Sequence, residues 1–404
     1  MVSGADKLTK LLLVAPSLHQ GGLERVCVLT ARLLAPYYDV TIAVFDGSRT
    51  DYDIQGLSVV DLHLPSRPGK AGKLLTWRRR VLALRRLKKK LGIRLSYSLG
   101  QTANLSNVFA GAGDRILCSI RSYQDMQNPR KIRLFVRRAD RIVCCSEVIR
   151  QELAERYGCG TAVTLYNPIR VPGPEALREG KDRLFLERED IRRFAGAHDA
   201  LMMSMGRDDD VKGFWHLIKA FAVFRQELIE RERRSCGTAV TLCQPVRGPG
   251  LVLIGMGDFA EYRQLAEVLG IAEHVLFTGV LREPHPLLAM ADEYVLTSIN
   301  EGFPNALLEA MALGVTPLAA DCMTGPREIL EPEGGGKWGT LLPPFSAHKD
   351  LDPAHIPEED RRLARAMGEH LHDKAAGQRA MLRATEFTEE RYMEAIREIL
   401  GGEL

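Results

Sequence analysis

The feature that most restricts the fold is an alternation of short apolar strands with helices that runs twice along the chain. In the first half the runs KLLLVAPS, DVTIAVFD, LSVVDLHL, RLSYSLG, RILCSIRS and RIVCCS each fit a buried strand, and stretches such as Leu23–Leu34 between them fit helices. Short strands apolar on both faces, separated by helices, imply a parallel doubly wound sheet. The alternation pauses where Pro and Gly gather in YNPIRVPGPEALREG, residues 166–180, which marks a linker. It resumes with ALMMSMGR, the helix GFWHLIKAFAVF, GLVLIGMG, HVLFTGV, DEYVLTS, the helix NALLEAMALG and VTPLAAD. The fold class is therefore α/β, with two Rossmann-like doubly wound parallel sheets. At 404 residues the chain suits two domains better than one core. The expected division is 1–174, 175–385, and a closing helical segment 386–404 that returns to the first domain.

Charge divides along the same line. Residues 1–174 hold 28 Lys and Arg against 13 Asp and Glu, so the first domain is strongly basic while the rest of the chain is acidic. From Leu62 to Gly113 there is no carboxylate at all, and GKLLTWRRRVLALRRLKKKLGIR lies inside that span. As a helix it sets Leu74, Trp77, Val81, Leu84, Leu87 and Leu91 on one broad face and most of its cations on the other. Such a helix roofs a sheet, and its basic face also suits an anionic membrane surface. Aromatics interleaved with base-binding cations are missing, so no nucleic-acid partner is expected. The apolar run LLLVA at 11–15 is too short for a leader or a span, which places the protein in the cytoplasm, peripheral to the inner membrane face. The eight cysteines show no metal-ligand spacing and are read as reduced core residues. CGTAVTL occurs twice, from 159 and from 236, and is too short to define a repeat.

In parallel sheets of this kind ligands bind outside the carboxyl ends of the strands, and two such sheets joined by a hinge are expected to face each other across a cleft. Three strand ends offer phosphate chemistry. HQGGLERV sets two glycines before a helix, so the backbone N–H of Gly22 can meet an anion without a side chain in the way, although glycine pairs are also common turn residues. GRDDDVKGFWHLI places Arg207 and Lys212 at the ends of a short acidic loop. Two cations fixed there can hold a diphosphate and neutralise charge as a bond breaks, while the same pattern also suits a surface salt-bridge loop with Asp208, Asp209 and Asp210. NEGFPNALLEAMALG, residues 300–314, has Asn305 as the expected N-cap, Glu301 in the loop before it and Glu309 in the first turns. A glutamate there complements any helix dipole by roughly 0.3–1 kcal/mol, so the motif alone leaves its role open.

Taken in order, GGLERV, YNPI, GRDDDVKGF, LVLIGMGD, FTGVL, EGFPNALLEAMALG and GPREIL resemble the retaining glycosyltransferases of family 4, which have the GT-B fold, over nearly the whole length. The resemblance implies that Arg207 and Lys212 clasp a nucleotide diphosphate, that Glu309 binds the ribose hydroxyls and that Glu301 contacts the donor sugar. Gly22, Phe303 and Asn305 join the donor contacts, and the Leu281 backbone meets the base. It further implies transfer of a hexose or N-acetylhexosamine, from a UDP-linked donor, to a hydroxyl of a glycan or lipid-linked glycan. Configuration is retained by front-face displacement, with neither metal nor cofactor. One position departs: where many relatives carry a strand-end histidine facing the donor sugar, RILCSIRSYQ has Arg121. Arginine stays protonated, so it can position a sugar or stabilise phosphate charge but cannot act as a base. A nucleotide-sugar epimerase of the same fold and a non-catalytic binding subunit are the alternatives; the intact Arg207, Lys212, Glu301 and Glu309 set speaks against the second.

Overall fold

Thr9–Leu18 (β1) is an interior strand of the first sheet because neither face of its buried run is polar. Leu11, Leu13 and Ala15 enter one core with helix α1 (Gly22–Leu34) and the C-terminal helix Glu389–Leu400. Leu12 and Val14 enter another beneath α2 (Lys70–Leu91) and α3 (Gln101–Phe109). Each such side chain fully buried stabilises by roughly 1.5–3 kcal/mol, so the strand settles between two helix layers. Around it lie β2 (Tyr38–Thr50), β3 (Ser58–Asp61), β4 (Leu95–Ser98), β5 (Arg115–Ile120), β6 (Arg141–Cys144) and β7 (Ala162–Thr164). Their order is β3-β2-β1-β4-β5-β6-β7, all parallel. The second sheet comprises β8 (Ala200–Met205), β9 (Pro249–Ile254), β10 (Val275–Gly279), β11 (Glu293–Leu296), β12 (Thr316–Ala320) and β13 (Thr340–Leu342), in the parallel order β10-β9-β8-β11-β12-β13. Helices Phe214–Cys236, Ala260–Val268 and Glu358–His370 supply its larger core. Strand order reverses at β1/β4 and at β8/β11, the switch points where loops from neighbouring strands diverge.

This computed structural model describes residues 8–19, 21–236, 248–332, 337–370 and 373–401. The chain divides into two units, Met1–Pro168 with Phe387–Leu404, and Ile169–Glu386, so the first division falls ahead of 174/175 and the second next to 385/386. Residues 174–180 are not linker: Pro174 opens a helix, Pro174–Glu187, with Glu175 in its first turn, a start for which a proline without an N–H is suited. The closing segment is held in the first unit by the Tyr392 hydroxyl, 2.7 Å from Thr30 Oγ1, and by Arg115, which donates to the Leu400 and Ile399 carbonyls. The second copy of CGTAVTL runs outside the described residues. Six cysteine side chains are described, all buried and none in a disulfide; burial is the largest cause that pushes the thiols of Cys27, Cys118 and Cys322 up to about 12, which leaves them inert. Among the described residues no helix is long and apolar enough to cross a membrane.

Helix α2 departs from its expected faces. Its buried stripe includes Arg80 and Lys88 as well as Leu84, whereas Leu74, Leu75 and Leu82 are exposed. Leu75 and Leu82, seven residues apart, lie on the same side as Arg78, Arg79, Arg86 and Lys89, so the outward face is basic with leucines set into it. Lys88 Nζ lies 2.8 Å from Asp114 Oδ2 with both side chains fully buried, and Ser96 Oγ donates to the same carboxylate (2.6 Å). Burial works against the charge, yet Lys88, Ser96 and the Ala112 N–H hold the Asp114 carboxyl below its ordinary range. Phe109 of α3 meets Trp77 of α2 edge-on at 5.1 Å, and Arg138 of α4 (Pro129–Arg138) lies over its ring.

Candidate functional site

At the carboxyl ends of β8 and β11, adjacent at the switch point of the second sheet, the Ile169–Glu386 unit brings Arg207, Lys212, Glu301 and the Glu309 helix to one rim. After Met205 the Gly206 N–H donates to the Ile254 carbonyl (2.9 Å) and the Asp208 N–H to that of Met256 (2.8 Å), so the chain runs along the turn after β9. A Cβ on Gly255 would overlap the Gly206 carbonyl oxygen, and only glycine permits that approach. A 3₁₀ turn at Asp210–Lys212 then leads through Gly213, at φ +61°, into the helix that starts at Phe214. Thr297 Oγ1 donates to the Lys212 carbonyl (3.0 Å) and the Ile299 N–H to that of Val211 (2.8 Å), which ties the loop after β8 to the loop after β11.

The acidic residues of that loop are engaged elsewhere. Asp208 accepts the Phe259 N–H (3.0 Å), Asp209 accepts the Val211 N–H (3.1 Å), and Asp210 binds Lys349 Nζ (2.8 Å), which also pairs with Glu261. Arg207 is largely exposed, its Nη2 3.8 Å from Asp209. Lys212 Nζ donates to Glu301 Oε1 at 2.7 Å, in a pair mostly shielded from solvent. Cation and carboxylate thus stand one hydrogen bond apart, so a phosphate on Lys212 and a hydroxyl on Glu301 would belong to adjacent parts of one ligand.

Thr324 donates to the Glu301 carbonyl, and Gly325 at φ +94° lets the next loop press on Pro304 and Phe303. The helix Asn305–Ala312 is capped by Pro304, whose carbonyl accepts the Leu308 N–H, and not by Asn305. Proline fits that position because its fixed φ is compatible with the extended Ncap backbone and no N–H is needed there, so Asn305 becomes the first helical residue. Glu309 is 2 % exposed, with Oε2 3.3 Å from His285 Nε2. Beneath the two glutamates Tyr294 is fully buried, with its hydroxyl accepting the Met205 N–H (3.3 Å). Burial first, and then the charges of Glu301 and Glu309, raise that phenol well above its ordinary value, so it stays protonated. Leu281 follows Gly279, whose carbonyl accepts the Gly255 N–H (3.1 Å), so the turns after β10, β9, β8 and β11 form one bonded rim. Tyr294, His285, Thr297, Thr324 and Lys349 were not singled out by the sequence; only the alternating strand pattern around Tyr294 and the prolines flanking His285 hinted at constraint there.

In the other unit Gly22 opens α1, but the Glu24 side chain folds back over Gly21, where a Cβ would overlap its carboxylate. The Tyr52 hydroxyl accepts the Gly21 N–H (3.0 Å) and donates to the Gly21 carbonyl (2.6 Å). An anion at this helix start would meet a carboxylate already near the dipole's positive end. Arg121, at the end of β5, donates through Nη2 to Asn167 Oδ1, while Nη1 is buried without a hydrogen-bond partner among the described residues.

Among the described residues one group has metal-ligand spacing: His216, Glu359 and Asp360. His216 Nδ1 lies 2.6 Å from Asp360 Oδ1 and Nε2 3.0 Å from the Ser346 carbonyl. Two donating nitrogens make a protonated ring, which cannot ligate a metal, so the group is an ion pair. Burial alone would lower the His216 pKa, but the Asp360 hydrogen bond and charge, the Ser346 carbonyl and Glu359 together raise it above its ordinary value. Because the folded value exceeds the unfolded one, near 6.5, the stabilisation is complete below about pH 6.5 and is lost as pH rises through the folded value. The wild type should lose urea resistance between about pH 6 and about pH 8.5 more steeply than His216→Gln does. Equal slopes would contradict the pairing. Comparing variants cancels His198 and His274, whose pKa values are lowered by burial and which act with the opposite sign.

The family model for Glycosyltransferase Family 4 matches residues 20–171, and that for Glycosyl transferases group 1 matches residues 187–369. An uncharacterised glycosyltransferase of Methanocaldococcus jannaschii is 26 % identical over 219 residues, and the match spans about half of each protein, 50 % of both. A Campylobacter jejuni protein, N-acetylgalactosamine-N,N'-diacetylbacillosaminyl-diphospho-undecaprenol 4-alpha-N-acetylgalactosaminyltransferase, is 24 % identical over 89 % of this chain and 93 % of its own. Among solved structures, Anabaena HepE in complex with UDP and glucose superposes with a TM-score of 0.72 at 19 % identity, covering 97 % of this chain and 99 % of its own, a likeness of fold.

Proposed function

Because the chain belongs to glycosyltransferase family 4 and has the GT-B fold, we propose that it transfers a sugar from a UDP-linked donor to a hydroxyl of a lipid-linked envelope glycan, with retention of configuration. The observation that carries this is the convergence of Arg207, the Lys212–Glu301 pair and the Glu309 helix at the β8/β11 switch point. In this reading Arg207 and Lys212 hold the diphosphate, Glu301 the donor sugar, Glu309 the ribose hydroxyls and the Leu281 backbone the base. Asn305 and Phe303 shape the sugar end. The bond from the anomeric carbon to the diphosphate oxygen breaks, the acceptor oxygen bonds that carbon from the same face, and the acceptor's proton passes to the departing phosphate. The two cations stabilise the charge left on UDP, a role otherwise filled by a metal ion. Gly22 and Arg121, in the unit assigned to the acceptor, complete the set.

Incubating the protein with UDP-hexoses and UDP-N-acetylhexosamines, and with a polyprenyl-diphosphate-linked glycan, tests the reading. An α-linked product from an α-linked donor, formed undiminished in the presence of chelator, is expected. Inversion, or an absolute need for a divalent ion, would contradict it.

The acceptor reading rests on the named activity of the Campylobacter relative and on the outward face of α2, where leucines are set among arginines and lysines. Exposed Arg130, Arg133 and Arg137 of α4, which also packs against α3, extend that basic surface. Each cation near an anionic bilayer contributes about 1 kcal/mol, and Leu75 and Leu82 can enter the interface. The wild type should sediment with anionic vesicles, less so as salt rises, and not with neutral ones. Replacing Arg78, Arg79, Arg85, Arg86, Lys89 and Lys90 by glutamine should leave it in solution with UDP affinity intact. Equal sedimentation of both proteins would reduce α2 to a roof over its sheet.

A further inference from the structure

We infer that Lys349 is a positioning residue for the nucleotide diphosphate. It neutralises Asp210 so that the loop carrying Arg207 and Lys212 can accept an anion, an inference that rests on the assignment of the diphosphate to those two cations. From Arg207 to Lys212 three aspartates stand between two cations, which leaves the stretch one charge negative and opposed to a phosphate. Each aspartate therefore needs its own offset. Asp208 accepts the Phe259 N–H at the start of the helix Ala260–Val268, where the dipole favours a carboxylate. Asp209 lies near Arg207. Asp210 shares a single 3₁₀ turn with Lys212 and its side chain is 67 % exposed, so without a partner its charge would act against a phosphate held by that lysine. Lys349 supplies the partner: its Nζ donates to Asp210 Oδ1 (2.8 Å) and to Glu261, above the face of the Tyr262 ring.

The lysine comes from the segment after β13, and the helix Phe214–Cys236 fixes that segment on both sides of it. His216 Nε2 donates to the Ser346 carbonyl (3.0 Å), and the fully buried Lys219 Nζ donates to the His355 carbonyl and pairs with Asp350 (2.9 Å each). His355 Nδ1 lies 2.6 Å from the same carboxylate, and the Asp352 N–H donates to it (2.9 Å). Burial works against the Asp350 charge, yet Lys219, the Asp352 N–H and His355 hold the carboxyl well below its ordinary range. Burial likewise works against the Lys349 ammonium, but Asp210, Glu261 and Tyr262 raise its pKa above the ordinary value, so it stays charged. Asp350 is thus drawn to the helix while the adjacent Lys349 turns to Asp210. Through Lys219 and Asp350, the helix that follows Lys212 sets in place the cation that balances the loop before it.

The test is the affinity of the full chain for UDP and for uridine, measured by calorimetry at low salt. Lys349→Met should weaken UDP about 5–10-fold, the effect of one uncompensated charge on a nearby diphosphate, and leave uridine unchanged. Combining Asp210→Asn with Lys349→Met should return UDP to within about 2-fold of the wild type, because the charge that Lys349 offsets is gone. Asp210→Asn alone should bind UDP at least as tightly as the wild type does. A lysine that only ties its segment to the loop predicts the reverse: Asp210→Asn would weaken UDP as Lys349→Met does, and the double variant would not recover. Asp210→Asn keeps the lysine, so it decides the question even if Lys349→Met fails to fold. Unchanged UDP affinity in Lys349→Met, an equal loss of uridine affinity, or a loss of UDP affinity in Asp210→Asn overturns the inference. If Arg207→Ala/Lys212→Ala then still weakens UDP, the diphosphate assignment stands without it. If that double variant binds UDP as the wild type does, the assignment falls and this inference with it.

Discussion

Alanine at Arg207 or at Lys212 lowers turnover by about 10²–10³-fold, the loss expected when a preorganised charge-stabilising group is removed. The two variants should differ in the accompanying change. Arg207 is exposed and bound only weakly to Asp209, so its loss disturbs little beyond the ligand. Lys212 is bonded to Glu301 at 2.7 Å, and its loss also releases the carboxylate that holds the donor sugar. Both variants should therefore raise the KM for UDP-sugar as well as lower kcat, Lys212→Ala the more so because it also frees Glu301. Initial rates with a matched donor and acceptor decide this. Wild-type turnover in both variants would remove the diphosphate assignment.

The largest effect on stability is expected at the buried Lys88–Asp114 pair of the first unit. Lys88→Met should cost about 3–5 kcal/mol, because it leaves the Asp114 charge buried without its cation. Lys88→Met combined with Asp114→Leu should recover a large part of that loss, since two well-packed apolar side chains need no desolvated partner. Urea denaturation of the two single variants and the double variant measures both quantities. A single variant within about 1 kcal/mol of wild type would show that the pair is not closed to water.

Lys88 also marks where the sequence stopped being legible. The twofold alternation of strands and helices is a strong periodic signal, and it disclosed both sheets. The three-residue edge strands Ala162–Thr164 and Thr340–Leu342 went unseen because so short a run has no period to read. On α2 the leucines and cations were sorted by type, but burial followed position. Lys88 could go inward because Asp114, distant in sequence, was there to receive it, and Leu75 and Leu82 fell on the outward face. The site divides in the same way. Arg207, Lys212, Glu301 and Glu309 stand in motifs with fixed local spacing. The contacts that hold them, Thr297 to Lys212, Thr324 to Glu301, Lys349 to Asp210 and His285 beside Glu309, join segments that only the sheet order brings together. The N-cap shifted from Asn305 to Pro304 for a local reason, the backbone that proline already imposes.

The central claim is that the turns after β8 and β11 hold a nucleoside diphosphate. Titrating the wild type and the Arg207→Ala/Lys212→Ala double variant with UDP and with uridine tests it most directly. The account predicts that the wild type binds UDP at least about 100-fold more tightly than the double variant does, as for loss of two charged contacts, while uridine binds both proteins equally. Equal UDP affinity in the two proteins would contradict it.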